Sequence, residues 1–373
     1  MIPIAKPYLT ADEAQAAYDV IMSGWVSQGA KVREFEEKFA AYTGSNYAVA
    51  VSSCTTALHL SLVVAGIKPG DEVICPSMSF IATANAINYT GATPVFAEVN
   101  EHFNIDVAHA ESLINSKTKA IIVVHQLGMP ADIDSFRNIS EKHNLILIED
   151  AACAIGSAYE GKKIGAHSSL VCFSFHPRKV ITTGEGGMIT TSSSEFYTRL
   201  KALRQHSMTL NDLERHKSDK VLIEEYPEVG YNYRMTDIQA AIGIKQLEKL
   251  DWIIENRRKT AYNYHHALKQ NKQIILPIEP NGYYSNYQSY AIIIEDKLSA
   301  IRNQIMQKLL EVGISTRRGV MTIHNEKAYS NNTQNLSRSE KLSSSSMILP
   351  LYVGISMKEQ DFIVKNLIDL FRK

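Results

Sequence analysis

Lys179 sits in Phe173-Ser174-Phe175-His176-Pro177-Arg178-Lys179, followed by Thr182-Thr183-Gly184-Glu185-Gly186-Gly187. A lysine held out of bulk water gives up its proton more readily and becomes an amine nucleophile able to form a Schiff base with a carbonyl. Standing alone, a loop lysine is usually a solvated charge, so its partners decide its role. Asp150 is one: Leu145-Ile146-Leu147-Ile148 runs into Glu149-Asp150 and then into small residues. A carboxylate there faces the same crevice or else caps the following segment. A second partner is Ser52-Ser53-Cys54-Thr55-Thr56, a hydroxyl-rich turn opening a helical pattern that ends near Gly66. Free N–H groups and hydroxyls at a helix start hold a phosphate, or simply cap the helix. Ser174 adds a hydroxyl five residues before Lys179, and Phe80 offers an aromatic face or a core side chain.

These residues need a frame, and the chain alternates strand and helix signals as an α/β sheet does. Strands are expected at Ala48–Val51, Glu72–Cys75, Thr93–Ala97, Ala120–Val124, Leu145–Ile148, Leu170–Phe173 and Met188–Thr190. Helices are expected at Ala11–Met22 and Ala82–Tyr89. An amphipathic stretch from Ile238 to Asn256 leads into a second domain. There, strands such as Tyr290–Ile294 mix with helices such as 298–312, and Ser330 to Ser346 reads as a surface loop or short helix. Lys179 and Asp150 both fall just past strand carboxyl ends, where open α/β sheets bind ligands.

Pyridoxal phosphate (PLP) asks for this set: a lysine, a carboxylate for its pyridinium nitrogen, a phosphate cradle and a flat face for its ring. The chain resembles the DegT/StrS family of PLP-dependent sugar aminotransferases. The resemblance rests on Gly24-Trp25-Val26-Ser27-Gln28-Gly29 with Phe35-Glu36, Ser53-Cys54-Thr55, Ser79-Phe80-Ile81-Ala82-Thr83 and Glu149-Asp150-Ala151-Ala152. It continues through the lysine segment, Gly230-Tyr231-Asn232-Tyr233-Arg234-Met235-Thr236-Asp237 and Leu349-Pro350-Leu351-Tyr352. It implies the α/β aspartate-aminotransferase fold, PLP-dependent transferase fold type I. That fold has a large PLP-binding domain (1–245) with a mainly parallel seven-stranded sheet flanked by helices, and a smaller α+β C-terminal domain (246–373).

Carried onto these positions, the resemblance makes Lys179 the Schiff-base lysine and Asp150 the partner of the pyridine nitrogen. Phe80 stacks on the ring, while Thr55, Thr56 and Ser174 hold the phosphate. Asn232 reaches the phosphate of a neighbouring subunit, which implies a homodimer with composite active sites. The implied substrates are a nucleotide-linked keto-sugar, taken as a 4-keto-6-deoxyhexose, and glutamate. Other readings are a keto-cyclitol or keto-acid sugar, or a non-catalytic regulator of the same fold. Two positions depart from the family pattern. Cys153 stands where many members carry Gln or His against the phenolic oxygen, and Cys54 stands where many carry Gly. Relatives that dehydrate sugars replace the lysine with histidine, whereas this chain keeps Lys179.

The substrate side is less legible. Arg317-Arg318 could grip a carboxylate or diphosphate together, or form a solvated basic turn. His324 and Trp25 lie in stretches that contribute to the substrate pocket in relatives, and Tyr283, Tyr284 and Tyr287 line a sugar site or cover a core edge. The 373 residues imply two domains, and 45% hydrophobic with 21% charged residues is an ordinary globular composition. With 39 basic against 39 acidic residues, nothing draws the chain to nucleic acid or an anionic membrane. No apolar run spans a bilayer, and the first residues do not read as a signal peptide. Cys54, Cys75, Cys153 and Cys172 lack metal or disulfide spacing, so reduced thiols in the cytoplasm and no metal site are expected.

Overall fold

The computed structural model describes residues 1–210, 223–295, 301–330 and 334–371. In the first 210 residues the strands are β1 (Tyr47–Val51), β2 (Glu72–Pro76), β3 (Thr93–Ala97), β4 (Thr118–Val124) and β5 (Ile146–Asp150). A small hairpin, β6 (Ala158–Tyr159) with β7 (Lys162–Lys163), precedes β8 (Leu170–Ser174) and β9 (Gly187–Thr191). The helices are α1 (Ala11–Ser23), α2 (Ala30–Thr43), α3 (Cys54–Val64), α4 (Ala82–Tyr89), α5 (Val107–Ser112), α6 (Ile133–His143) and α7 (Ser194–Leu203). Seven strands form one sheet in the order β1-β9-β8-β5-β4-β2-β3, and only β9 runs against the rest. The seven strands expected before residue 191 all lie in this sheet, the inner ones as short apolar runs buried on both faces.

The helices are fixed by named caps. Thr10 and Glu13 close a capping box on α1, and Gly24 ends it in the left-handed region at φ 78°. Gly29 precedes α2 and has no side chain to cap it. Asp237, more than 200 residues away, does so instead: its carboxylate accepts from the backbone N–H groups of Gly29 (2.8 Å), Val32 (2.9 Å) and Lys31 (3.1 Å). Phe39 of α2 then packs edge-on against Phe173 and Phe175, and Phe35 packs tilted against Phe175, under the sheet.

The amphipathic stretch from Ile238 to Asn256 is covered by two helices, α8 (Asp237–Glu248) and α9 (Leu250–Leu268), joined at Lys249. Lys249 is the joint, at φ −101° and ψ −4°, and its ammonium is held by Glu13 at 3.0 Å and Asp12 at 2.8 Å. Residue 245 therefore falls inside α8, and the change of core runs along α9. Leu250, Ile253 and Ile254 pack in the large core, whereas Ala261, Tyr264 and Leu268 pack in the small one. Chain residues 1–5 also belong to the small side, since Ile2 bridges Ile314 and Ile4 accepts from Leu351 N–H.

The small part is a four-stranded sheet, β10 (Ile274–Ile275), β12 (Tyr290–Ile294), β14 (Ser346–Leu349) and β13 (Arg317–Arg318), with helices α10 (Arg302–Glu311), α11 (Ser337–Ser345) and α12 (Met357–Phe371). Residues 298–300 of the helix expected at 298–312 lie outside the described residues, as do 331–333 of the Ser330–Ser346 region. Strand β11 (Tyr283–Tyr284) leaves the small sheet and pairs with β6 of the large domain. No helix among the described residues is long and apolar enough to cross a membrane.

Candidate active site

Four chain segments meet at the carboxyl edge of the large sheet: the ends of β1, β2, β5 and β8. Asp150 ends β5 and is 5% exposed. Thr83 Oγ1 donates to its Oδ2 at 2.9 Å, and Ala152 N–H donates to its Oδ1 at 3.1 Å. Because the Thr83 proton points at Asp150, Ser79 Oγ, 2.9 Å behind it, must donate to Thr83. Burial raises the Asp150 pKa above the usual carboxylate range, while Ala152, Thr83 and Lys179 pull the other way. A buried carboxyl in that position favours a cationic partner.

Lys179 follows β8 on a turn closed by its own N–H to His176 O at 2.8 Å. Its Nζ donates to Cys153 Sγ at 3.3 Å. Burial of the ammonium pulls its pKa down, as the sequence suggests, but the Cys153 sulfur, Cys54 and Asp150 outweigh that pull. The pKa lies above the ordinary lysine value, which corrects the expectation of an easily freed amine. Lys179 and Cys153, 26 residues apart, are thus in direct contact.

At the end of β1, Ser53 caps α3. Thr56 N–H donates to Ser53 Oγ, and Thr56 Oγ1 accepts from Ser53 N–H and donates to Ser53 O at 2.8 Å. The Thr56 hydroxyl is therefore committed to the capping box, whereas Thr55 makes no side-chain hydrogen bond among the described residues. Cys54 is the first residue of the helix and has no positive φ, so replacing the family's glycine there costs no strain. Its thiol lies 4.0 Å from Asp150 Oδ1, and burial raises its pKa well above the usual thiol value. Gly187, between Val51 and Ser174 in the sheet, must be glycine: a Cβ would meet the Ser53 and Cys54 backbone at 2.5–2.7 Å. Ser174, 8% exposed, accepts from His176 N–H at 3.4 Å.

The remaining expected residues are more scattered. Phe80 is 62% exposed at the end of β2. Asn232 is exposed, and its amide oxygen accepts from Arg234 Nε at 3.1 Å. Trp25 donates from Nε1 to Gln28 O at 3.2 Å and packs where a Gly29 side chain would stand. Arg317 and Arg318 are neighbours on β13, so their side chains leave opposite faces and do not form a single clamp. Arg318 lies 3.7 Å from Glu326. His324 is buried with both ring nitrogens engaged, Nδ1 by Ser77 Oγ at 2.5 Å and Nε2 by Glu340 at 3.0 Å.

Sequence reasoning missed Thr83 as a partner of Asp150, although its spacing of four from Ser79 was there to read. It also missed a wholly buried pair behind Asp150. His125 Nδ1 accepts from Ala131 N–H, so Nε2 carries the proton and donates to Glu149 at 2.9 Å. Burial works against the Glu149 charge, but the His125 bond holds its pKa below the usual value.

Comparison with known proteins identifies the family. Residues 7–368 match the model of the DegT/DnrJ/EryC1/StrS aminotransferase family. GDP-perosamine synthase of Caulobacter vibrioides is 37% identical over 98% of this chain and 97% of its own length. Spore coat polysaccharide biosynthesis protein SpsC of Bacillus subtilis is 33% identical over 100% of this chain and 97% of its own. Among solved structures, PseC of Helicobacter pylori, an aminotransferase of pseudoaminic acid biosynthesis, superposes with a TM-score of 0.93 at 29% identity, covering 100% of this chain and 99% of its own. The PLP form of the putative sugar aminotransferase Spr1654 of Streptococcus pneumoniae gives 0.93 at 28% identity, covering 100% of this chain and 98% of its own. The chain belongs to the DegT/DnrJ/EryC1/StrS family and is a PLP-dependent aminotransferase.

Proposed function

We propose that this enzyme aminates a nucleotide-linked keto-sugar, a 4-keto-6-deoxyhexose, with glutamate as amino donor. The observation that carries the reading is Lys179, Asp150 and the free Thr55 hydroxyl gathered at one edge of the sheet. The sugar class is supported by two relatives, one named for a GDP-linked sugar and one placed in polysaccharide biosynthesis.

The residues fit PLP. Asp150 is buried beside neutral donors, so a pyridinium N–H offsets the cost of its charge. Thr55 and Ser174 flank the start of α3 and hold the phosphate, with Thr56 building the turn. Phe80 covers the ring face. Bound PLP supplies an aldehyde for amines and a ring that withdraws electrons from the reacting carbon.

Lys179 would hold the cofactor's aldehyde as an amine and would serve to move a proton at the reacting carbon. Asp150 keeps the ring nitrogen protonated, and Ser79 with Thr83 fixes its orientation. The Cys153 thiol faces the lysine nitrogen and would be the side chain available to the cofactor's phenolic oxygen. Asn232 serves the phosphate of a partner subunit in a homodimer. On the substrate side, Trp25 borders the entrance, Arg317 and Arg318 meet anionic groups singly, and His324 acts by fixing the Ser77–Phe80 turn.

The test is stopped-flow absorbance of the two half-reactions. Glutamate should convert the cofactor to its amino form, and nucleotide-linked 4-keto-6-deoxyhexoses should reverse the change. Free keto-sugars should be slower, because the remote diphosphate positions the reacting carbon. Arg317→Ala should weaken only the second half-reaction. Equal rates with free sugars or cyclitols would refute the nucleotide-sugar reading.

A further inference from the structure

The loops carrying Lys179 and Cys153 belong to the large domain, yet both are held by one short segment leading into the small domain. Gln288 Nε2 donates to Arg178 O at 2.9 Å. That carbonyl belongs to the peptide whose N–H is that of Lys179, and the N–H itself donates to His176 O at 2.8 Å. The peptide plane carrying the lysine is therefore pinned on one edge by its own turn and on the other by Gln288.

Two residues earlier, Asn286 is fully buried, and its Nδ2 donates to Cys153 O at 2.9 Å and to Ile155 O at 2.8 Å. Its Oδ1 accepts from Gln288 N–H at 2.8 Å, so the two side chains are registered to each other. Gly128 gives way to this amide: a Cβ there would lie 2.0 Å from Asn286 Oδ1.

The segment is itself braced from α9. Arg257, 5% exposed, donates to Tyr287 O at 3.0 Å and Gln288 O at 2.5 Å. Arg258 bonds Ser285 O at 2.5 Å and pairs with Glu279. Burial pulls the Arg257 pKa down to about 10, and no carboxylate among the described residues pairs with it to offset the cost. Tyr287 sits at φ 46°, in the left-handed region that crowds the Cβ of a non-glycine residue. A buried cation and a strained residue are both spent on holding two side-chain amides in place.

We infer that Asn286 and Gln288 are positioning residues for transamination, setting the Lys179 peptide and the Cys153 turn at a fixed separation through one brace from the small domain. This rests on Lys179 being the reacting lysine. A lysine displaced by even about 1 Å loses rate steeply, while substrate contacts elsewhere are untouched. The brace also gives the small domain a direct mechanical route to the lysine.

The experiment uses the PLP-loaded enzyme and Gln288→Ala, which removes one partly exposed amide. The glutamate half-reaction should slow about tenfold with KM changed by less than about twofold. The pH midpoint of the visible cofactor band should move, and amide hydrogen exchange should quicken at 176–182 while the melting temperature stays nearly constant. Asn286→Asp keeps the shape but cannot donate, and should quicken exchange at 151–157. Unchanged exchange and midpoint in Gln288→Ala would overturn the inference, as would loosening spread over the whole large domain. If Asn286→Asp does not fold, Gln288→Ala decides alone. Failure of the two readings is separable: a dead Lys179→Ala beside a wild-type-like Gln288→Ala removes only the brace, and an active Lys179→Ala removes the proposed chemistry.

Discussion

Asp150 is distinguished by what its neighbours withhold. No lysine or arginine forms an ion pair with it among the described residues; it receives one hydroxyl and one backbone N–H. Burial alone would leave it protonated more readily than an ordinary aspartate, and a ring cation reverses that preference. Asp150→Asn should therefore keep the fold and lose most turnover, since an amide has no charge to hold the ring proton. Retained glutamate half-reaction rates in that variant would reduce Asp150 to a cap. Lys179, Asp150 and the Ser53–Thr56 turn were legible in the sequence because each is a local signal beside an apolar run. The contact of Lys179 with Cys153, the orientation of Asp150 by Thr83 and the bonds from Asn286 and Gln288 were not. The last two reach 133 and 110 residues along the chain, and no local pattern encodes them.

Among the elements, the seven large-sheet strands were readable within a residue or two, since a strand buried on both faces must be an unbroken apolar run. The joint between α8 and α9 was hidden because the apolar spacing continues across Lys249. What bends the chain there is tertiary: α1 presents Asp12, Glu13 and Thr10 to the Lys249 ammonium. Glu13 is the hinge of that arrangement. Burial opposes its charge, but bonds from Gln246, Thr10 and Lys249 hold its pKa at about 2, against 4.5 ordinarily. A depressed carboxylate contributes stability above its unfolded pKa and loses it as pH falls through the folded one. The stabilisation should thus be complete above about pH 5 and fade between about 4.5 and 2. Glu13→Gln should cost roughly 2–3 kcal/mol at pH 7 by urea unfolding, and little at pH 2. An equal cost at both pH values would assign the effect to packing.

On the scale of the whole molecule, α9 spans two cores and its arginines hold the 285–288 segment, which in turn bonds the Lys179 loop, so the proposed brace would link the small domain to the lysine. Asn232 is exposed in the single chain and is proposed to serve the phosphate of a second subunit. Mixing Asn232→Ala with Lys179→Ala subunits should restore activity, because one of the two sites in each heterodimer regains both residues. Demonstrated heterodimers without recovery would put the phosphate contacts within one chain. The central claim remains the bond to Lys179. Borohydride reduction of the purified yellow protein, followed by peptide mass spectrometry, tests it most directly. The account predicts the cofactor's mass fixed on the peptide containing Lys179, and neither that adduct nor turnover in Lys179→Ala. An adduct on any other lysine, or a wild-type rate in Lys179→Ala, would contradict it.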